Sequence, residues 1–92
     1  MLFEWNDQKA RANIRKHRIN FYEAQTVFTD DFSINIPDLE HSEDEERFII
    51  IGMSHQQRLL VVVYTERSER IRLISARKAT QMEREKYEED II

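Results

Sequence analysis

Ile71-Arg72-Leu73-Ile74-Ser75-Ala76-Arg77-Lys78-Ala79-Thr80 reads as a strand of aliphatic and β-branched residues that runs into a cationic end and gives way at once to a helix. A strand end carrying Ser75, Arg77 and Lys78 offers fixed donors where a phosphate can sit. Upstream lie two more strand-like runs, residues 47–53 and 58–65, joined by short polar connections, so the three runs form an antiparallel meander. Downstream, Thr80 with Glu83 is a capping box that starts a last helix reaching about Glu89. That helix is mostly polar apart from Met82, Tyr87 and the terminal Ile91 and Ile92.

The residues before the meander supply the other layer. Residues 2–5 alternate as a short first strand, and Asn6 caps a helix running to about His17. Ala10, Asn13, Ile14 and His17 recur at helical spacing toward the core, with Lys9, Arg11, Arg15 and Lys16 on the other faces. Asn20 followed by Glu23 is a second capping box, opening a short helix with Ala24, Val27 and Phe28. Phe32, Ile34 and Ile36 alternate with polar residues until Pro37 stops a half-buried strand near a sheet edge. Residues 38–46 show no apolar period and read as a mobile loop. The chain is thus an α+β protein with a short first strand, two N-terminal helices, an antiparallel β-meander and a C-terminal helix.

Composition narrows the function classes. The 92 residues are expected to make one domain, 1–92, with a single core, burying about 60 to 70% of the surface of the unfolded chain. Without cysteine there is no thiolate metal site and no Cys nucleophile, and three scattered histidines do not suggest a zinc cage, so no metal or cofactor is expected. The first residues lack a signal-peptide pattern and no apolar run approaches a membrane span, which predicts a cytoplasmic protein that does not engage a membrane. The net charge of −4 argues against a nucleic-acid partner only in sum. Residues 38–46 hold six carboxylates and residues 83–90 five; removing both segments leaves seven acids against twelve bases. An acidic and a basic face can coexist.

A two-residue turn at His55-Gln56 would set Met53 opposite Arg58 and Arg47 opposite Tyr64. A second turn near Arg67-Ser68 would then set Arg58 opposite Arg77 and Leu60 opposite Ser75. Like charges face each other in that register, which suggests an anion between them. A slip of one residue would send Arg58 to the other face. Leu59-Leu60-Val61-Val62-Val63 is apolar on both faces and needs cover above and below, from helices and from whatever binds there.

Glu4-Trp5, Lys9, Asn13, Lys16-His17, Phe21, Glu23-Ala24, Val27-Phe28 and Asp30, then Glu46-Arg47-Phe48 and Gly52, and finally residues 71–79 with Glu83 and Tyr87, closely resemble the BrnT family of toxins over nearly the whole chain. The resemblance implies a RelE-like ribonuclease fold and toxicity through RNA cleavage that inhibits translation. It also implies neutralisation by a BrnA-type antitoxin, through which alone the system meets operator DNA. The chain departs from the family pattern at Arg18, where glycine is usual, and in the turns around Gln56-Gln57 and Ser68-Glu69, which lack the glycine often present.

RNA cleavage without a metal transfers a phosphodiester to the neighbouring 2′-hydroxyl, which needs a proton acceptor, a proton donor and stabilisers of phosphate charge. The expected catalytic residues are Arg47, Arg58 and Arg77 on the phosphate, with Lys9 and His17 contributing charge or proton transfer and Lys9 the preferred one. Lys16, Tyr64 and Lys78 are the expected RNA-binding residues, Tyr64 as a stacking platform. Blander roles stand beside these. His17 can cap helix carbonyls, Arg47 can pair with loop acids, Tyr64 can be a core-edge aromatic and Lys78 can decorate a helix start. Arg72 is expected on the face opposite Arg77, Trp5 in the core, and His41 and His55 in loops without a role. The alternative to a nuclease is a module that binds RNA or protein without cleaving it.

Overall fold

The computed structural model describes residues 1–89; Ile91 and Ile92, counted above among the apolar residues of the last helix, lie outside them. The elements run β1 (Leu2–Glu4), α1 (Asp7–His17), α2 (Phe21–Gln25), a 3-10 turn (Thr26–Thr29), β2 (Ile34–Pro37), a second 3-10 turn (Leu39–His41), β3 (Arg47–Met53), β4 (Leu59–Arg67), β5 (Arg70–Lys78) and α3 (Gln81–Glu89). One five-stranded sheet has the order β1-β5-β4-β3-β2. β1 pairs parallel with β5 while the other pairings are antiparallel, so the meander sits inside a mixed sheet with β2 on an edge, as the sequence reading expects.

The helix starts follow their caps. Asn6 Oδ1 accepts the Lys9 N–H at 3.0 Å and Asn20 Oδ1 accepts that of Glu23 at 2.8 Å. The second capping box is only half made, because the Glu23 carboxylate does not return to its helix but is drawn to Arg58 and Ser54. α2 accordingly lasts one turn, and Val27 and Phe28 sit in the 3-10 turn after it. The box at Thr80 closes fully: Glu83 N–H donates to Thr80 Oγ1 (3.2 Å) and Thr80 N–H to Glu83 Oε1 (2.8 Å).

Both sheet faces are apolar and both are covered, though unequally. On one face Ile50, Leu60, Val62, Tyr64, Leu73 and Ala76 pack with Ile19, Phe21, Ala24 and Val27 into the main core, with Phe3, Trp5 and Phe28 around it. Gly52, the single glycine of the chain, lies on that face, where an added Cβ would meet Val27 O at 3.1 Å and Val27 Cβ at 3.2 Å, so the 3-10 turn rests directly on the strand. On the other face, among the described residues, only α3 provides a helix: Tyr87 packs with Ile51, Leu59 and Val61 at one end of the strands. Tyr87 Oη locks that docking by donating to Asp30 Oδ2 at 2.6 Å, while Asp30 also accepts the Met53 and Phe32 N–H groups. Burial works against the Asp30 carboxylate, but those three donors outweigh it and hold its pKa below the ordinary value.

The register differs from the one read from sequence, for a local reason. The β3–β4 loop encloses three residues rather than two, His55 to Gln57: Ser54 N–H donates to Arg58 O, and Gln57 takes a left-handed conformation (φ 59°). Met53 therefore opposes Leu59, Phe48 opposes Tyr64 and Arg47 opposes Thr65. The second turn is at Ser68-Glu69, with Arg67 opposite Arg70. A bulge then inserts Ile74 between the Tyr64↔Leu73 and Val63↔Ser75 pairs, after which Val61 opposes Arg77 and Leu60 opposes Lys78. The Arg58 and Arg77 pairing does not occur. The bulge also reverses the alternation, so Arg72 shares the face of Arg77 by register instead of opposing it.

Candidate nucleic-acid interface

The less covered sheet face carries Arg47 and Ile49 on β3, Val61 and Val63 on β4, and Ile74, Ser75 and Arg77 on β5. With Asp38, Glu40 and His41 from the loop before β3, they line an open hollow of about 340 Å³. A second hollow of about 190 Å³ is lined by Lys9, Ala12, Asn13, Lys16 and His17 of α1 together with Ile74 and Ser75. The two share the bulged residues, so the cationic side of α1 and the Arg77 face of the sheet form one surface meeting at Ile74-Ser75. The bulge builds this surface, since without its extra residue Ser75 and Arg77 would swap faces with their neighbours.

A single buried side chain holds α1 in place. β1 pairs with β5 only over residues 70–72, and beyond them the outer edge of β5 has no neighbouring strand among the described residues. Asn13 takes the place of one: its Nδ2 donates to Ala76 O (2.8 Å), its Oδ1 accepts the Ala76 N–H (3.0 Å), and its Nδ2 also reaches Ile19 O (2.9 Å). Lys9, Lys16 and His17 occupy positions −4, +3 and +4 from Asn13, the neighbouring positions of one helix face. Fixing Asn13 to the strand edge therefore fixes them beside Ser75. Ile14, expected in the core stripe, is instead 43% exposed.

Arg77 is held by α3. Its Nη1 and Nη2 donate to Glu83 Oε1 and Oε2 at 2.7 and 2.8 Å. The Arg77 guanidinium holds the Glu83 carboxyl down at about 2, against the opposing effect of burial, with the Thr80 N–H adding to the shift. Arg77 is raised in turn by the same pair. The planar fork is thus set in one orientation on a residue that lines the groove. Lys9, Lys16 and Arg47 enter no ion pair among the described residues, so their charge is available to a ligand. Four residues along β4 and two strand spacings separate Arg47 from Arg77, which puts their Cα atoms about 16 Å apart. The two arginines thus stand at separate positions on the same hollow.

Three residues expected at this surface lie elsewhere. Arg58 is on the main-core face, where its Nε donates to Glu23 Oε2 at 2.9 Å and its Nη2 to Glu23 Oε1, with Ser54 Oγ adding 2.7 Å to the same carboxylate. Arg58 holds the Glu23 pKa below its ordinary value against the cost of burial. One residue of slip in the hairpin moved the guanidinium from the groove to a structural ion pair. Tyr64, expected as a stacking platform, is 3% exposed: its ring stacks on Phe48 (5.5 Å, 28°), its edge meets Phe28, and its Oη donates to Asn35 Oδ1 (2.8 Å). No ring face is left for a base. Lys78 is exposed at the end of β5 but lines a different hollow, with Gln57, Arg58, Leu59, Ala79 and Arg84.

His41 is the residue of this surface that the sequence reading assigned nothing. Its segment has no apolar period, and no sequence signal brings it to the groove; a 3-10 turn does. Arg72, on the groove side by register, is tied to Glu4 at 2.9 Å. No helix among the described residues is long and apolar enough to cross a membrane.

The sequence model of a family described as the ribonuclease toxin BrnT of type II toxin-antitoxin systems matches residues 5–83. Among solved structures, the Brucella abortus ribonuclease toxin BrnT is similar, with a TM-score of 0.68 at 22% identity, over 88% of this chain and 100% of that one. At that identity the likeness concerns the fold alone. No curated protein matches the chain. The match over residues 5–83 spans most of the sequence, and the chain belongs to the BrnT family, the ribonuclease toxins of type II toxin-antitoxin systems.

Proposed function

We propose that the chain is a metal-independent endoribonuclease that halts translation by cutting RNA along the face where α1 meets the β5 bulge. The observation that carries this reading is the continuous surface joining Lys9, Lys16 and His17 to Ser75, Arg77 and Arg47. In the reaction the 2′-oxygen of one nucleotide attacks the adjacent phosphorus. The P–O2′ bond forms as the P–O5′ bond breaks, leaving a 2′,3′-cyclic phosphate and a 5′-hydroxyl. One proton leaves the 2′-hydroxyl and one is taken up by the departing O5′. Arg77, pre-oriented by Glu83, stabilises the charge that builds on the phosphoryl oxygens. Arg47 and Lys9 contact neighbouring phosphates, Lys16 extends the track, and His17 adds charge at the end of α1. Arg58, Tyr64 and Lys78 are left out of this site on geometric grounds: the first two lie on the main-core face, and Lys78 borders a different hollow.

The protein works in the cytoplasm as half of a pair. A BrnA-type antitoxin neutralises it and carries the contact with operator DNA. The acids of residues 38–46 and the polar α3 suit a basic antitoxin segment, and truncation after Thr80 tests the share of α3 in that contact. Purified protein incubated with single-stranded RNA in the presence of a chelator tests the enzymatic reading. Cyclic-phosphate products are expected, and their loss in Arg77→Ala supports the site. Salt-sensitive binding without products in the wild type would identify a non-enzymatic module, and cleavage abolished by the chelator would overturn metal independence.

A further inference from the structure

We infer that His41 is the proton acceptor for the 2′-hydroxyl and that Asp38 is its positioning residue, an assignment that rests on the ribonuclease reading above. Its basis is the built character of a segment that sequence alone presents as loose. Asp38 N–H donates to Arg47 O (2.8 Å), Ser42 Oγ donates to Asp38 O (2.6 Å), and Arg47 N–H donates back to Ser42 Oγ (3.0 Å). These bonds staple the 3-10 turn Leu39–His41 to the first residue of β3, which is Arg47 itself. The imidazole is therefore carried on the same support as one of the groove's two arginines.

His41 Nδ1 faces both oxygens of Asp38, at 3.1 and 3.2 Å. The Asp38 side chain is 12% exposed and that of His41 62%, so the carboxylate lies beneath and the ring projects from it. A carboxylate at Nδ1 fixes the tautomer with the proton on that nitrogen, leaving the Nε2 lone pair to accept one. His41 borders the hollow that contains Ser75, Arg47 and Arg77 as well as an adjoining acidic hollow. His17 borders the α1 side without a carboxylate partner among the described residues, and His55 lies in the β3–β4 turn. His41 alone of the three combines an orienting carboxylate with a shared groove containing both arginines. The charged groups around it are Asp38, Glu40, Glu43, Asp44 and Glu45 of its own segment, Arg47 of β3 and Arg77 of β5.

In the step, neutral His41 takes the 2′-hydroxyl proton on Nε2 as the P–O2′ bond forms. The P–O5′ bond breaks, and the departing O5′ takes a proton from water in the open groove. The protonated imidazole then returns its proton to solvent. Steady-state cleavage of a single-stranded RNA oligonucleotide, followed from about pH 5 to about pH 9 for the wild type, His41→Ala, His41→Gln and Asp38→Asn, tests the assignment. Both His41 variants are expected to lower kcat by about 100-fold or more with little change in KM and to lose the acidic limb of the pH profile. Added imidazole restores part of the rate in His41→Ala, a response that a merely structural role would not give. Asp38→Asn lowers kcat by a smaller factor. Wild-type cleavage with an unaltered profile in both His41 variants overturns the assignment and leaves the ribonuclease reading standing. Absence of cleavage by the wild type overturns both.

Discussion

The Arg77 guanidinium and the Glu83 carboxylate meet through two parallel hydrogen bonds of 2.7 and 2.8 Å, joining the end of β5 to the first turn of α3. Glu83 thus completes the helix cap and fixes the Arg77 guanidinium at once. Arg77→Ala is expected to reduce RNA cleavage about 100- to 1000-fold, the usual cost of removing a transition-state donor. Arg77→Lys should recover little of it, because an ammonium cannot span both carboxylate oxygens. Glu83→Gln keeps the hydrogen-bonding shape without the charge and should have an intermediate kcat. Single-turnover kinetics on the three variants checks the order.

The same pair sets an acid limit to stability. The folded Glu83 titrates at about 2 against an ordinary value of 4.5. Its folded pKa is depressed, so its contribution is fully present above about pH 4.5 and is lost as the pH falls toward 2. The Arg77 side chain is 40% exposed, and solvent screening limits the contribution to about 1 to 2 kcal/mol. Glu83→Gln should be less stable than wild type at neutral pH and should lose less stability on acidification across that window. Denaturant melts at a series of pH values measure the difference in slope.

Arg58 and Glu23 predict the opposite kind of phenotype. The Glu23 side chain is 1% exposed and Arg58 is its main counter-charge. Arg58→Ala strands a buried carboxylate at a cost of about 3 kcal/mol. The variant should melt well below wild type, yet the fraction that remains folded should cleave RNA at the wild-type rate. Loss of activity in a variant shown by circular dichroism to be fully folded would instead return Arg58 to the groove chemistry.

Asn13 is the lynchpin of the α1 side. Asn13→Ala leaves the Ala76 N–H, the Ala76 carbonyl and the Ile19 carbonyl without their partner, at a cost of about 3 kcal/mol overall. Asn13→Asp keeps the acceptor, loses the donor and adds a buried charge, so it should be at least as damaging. Hydrogen exchange at the Ala76 amide reports the break locally, and faster exchange there than in the β3–β4 ladder is the expected result.

Much of this architecture was legible because it depends on local chemistry. Asn6, Asn20 and Thr80 each begin a helix where a capping residue precedes an apolar period, and the four strands after α2 follow from alternation and turn residues. What was not legible depends on a single residue of length. A three-residue turn closed by Gln57 and a bulge at Ile74 leave no unambiguous mark in composition, yet together they decide which face Arg58, Tyr64, Arg72 and Ser75 occupy. Lys9, Lys16, Arg47 and Arg77 reach one surface despite the error, the first two through Asn13, a polar residue that looked like part of an apolar stripe. His41 was invisible because its place comes from hydrogen bonds between the loop backbone, Ser42 and Arg47.

The three departures from the family's glycine pattern coincide with the three non-glycine residues of positive φ among the described residues: Arg18 at 61°, Gln57 at 59° and Ser68 at 56°. Arg18 ends α1 in the left-handed region and donates its N–H to Ile14 O at 2.9 Å, so the fold keeps the cap and bears the strain of a Cβ there. Arg18→Gly should remove that strain and gain about 0.5 to 1 kcal/mol after allowing for the greater freedom of glycine in the unfolded chain. Gln57→Gly should gain as much by favouring the three-residue turn that fixes the β3–β4 register, and Ser68→Gly by relaxing the β4–β5 turn. Gln57 and Ser68 flank the nine residues of β4 and stand about 30 Å apart, so their effects should add. For a domain of this size each gain corresponds to a rise in Tm of about 5 °C. Thermal melts of the single and double variants check both the sign and the additivity. A fall in Tm for Gln57→Gly would mean that the Gln57 side chain stabilises the turn through contacts that outweigh its backbone strain.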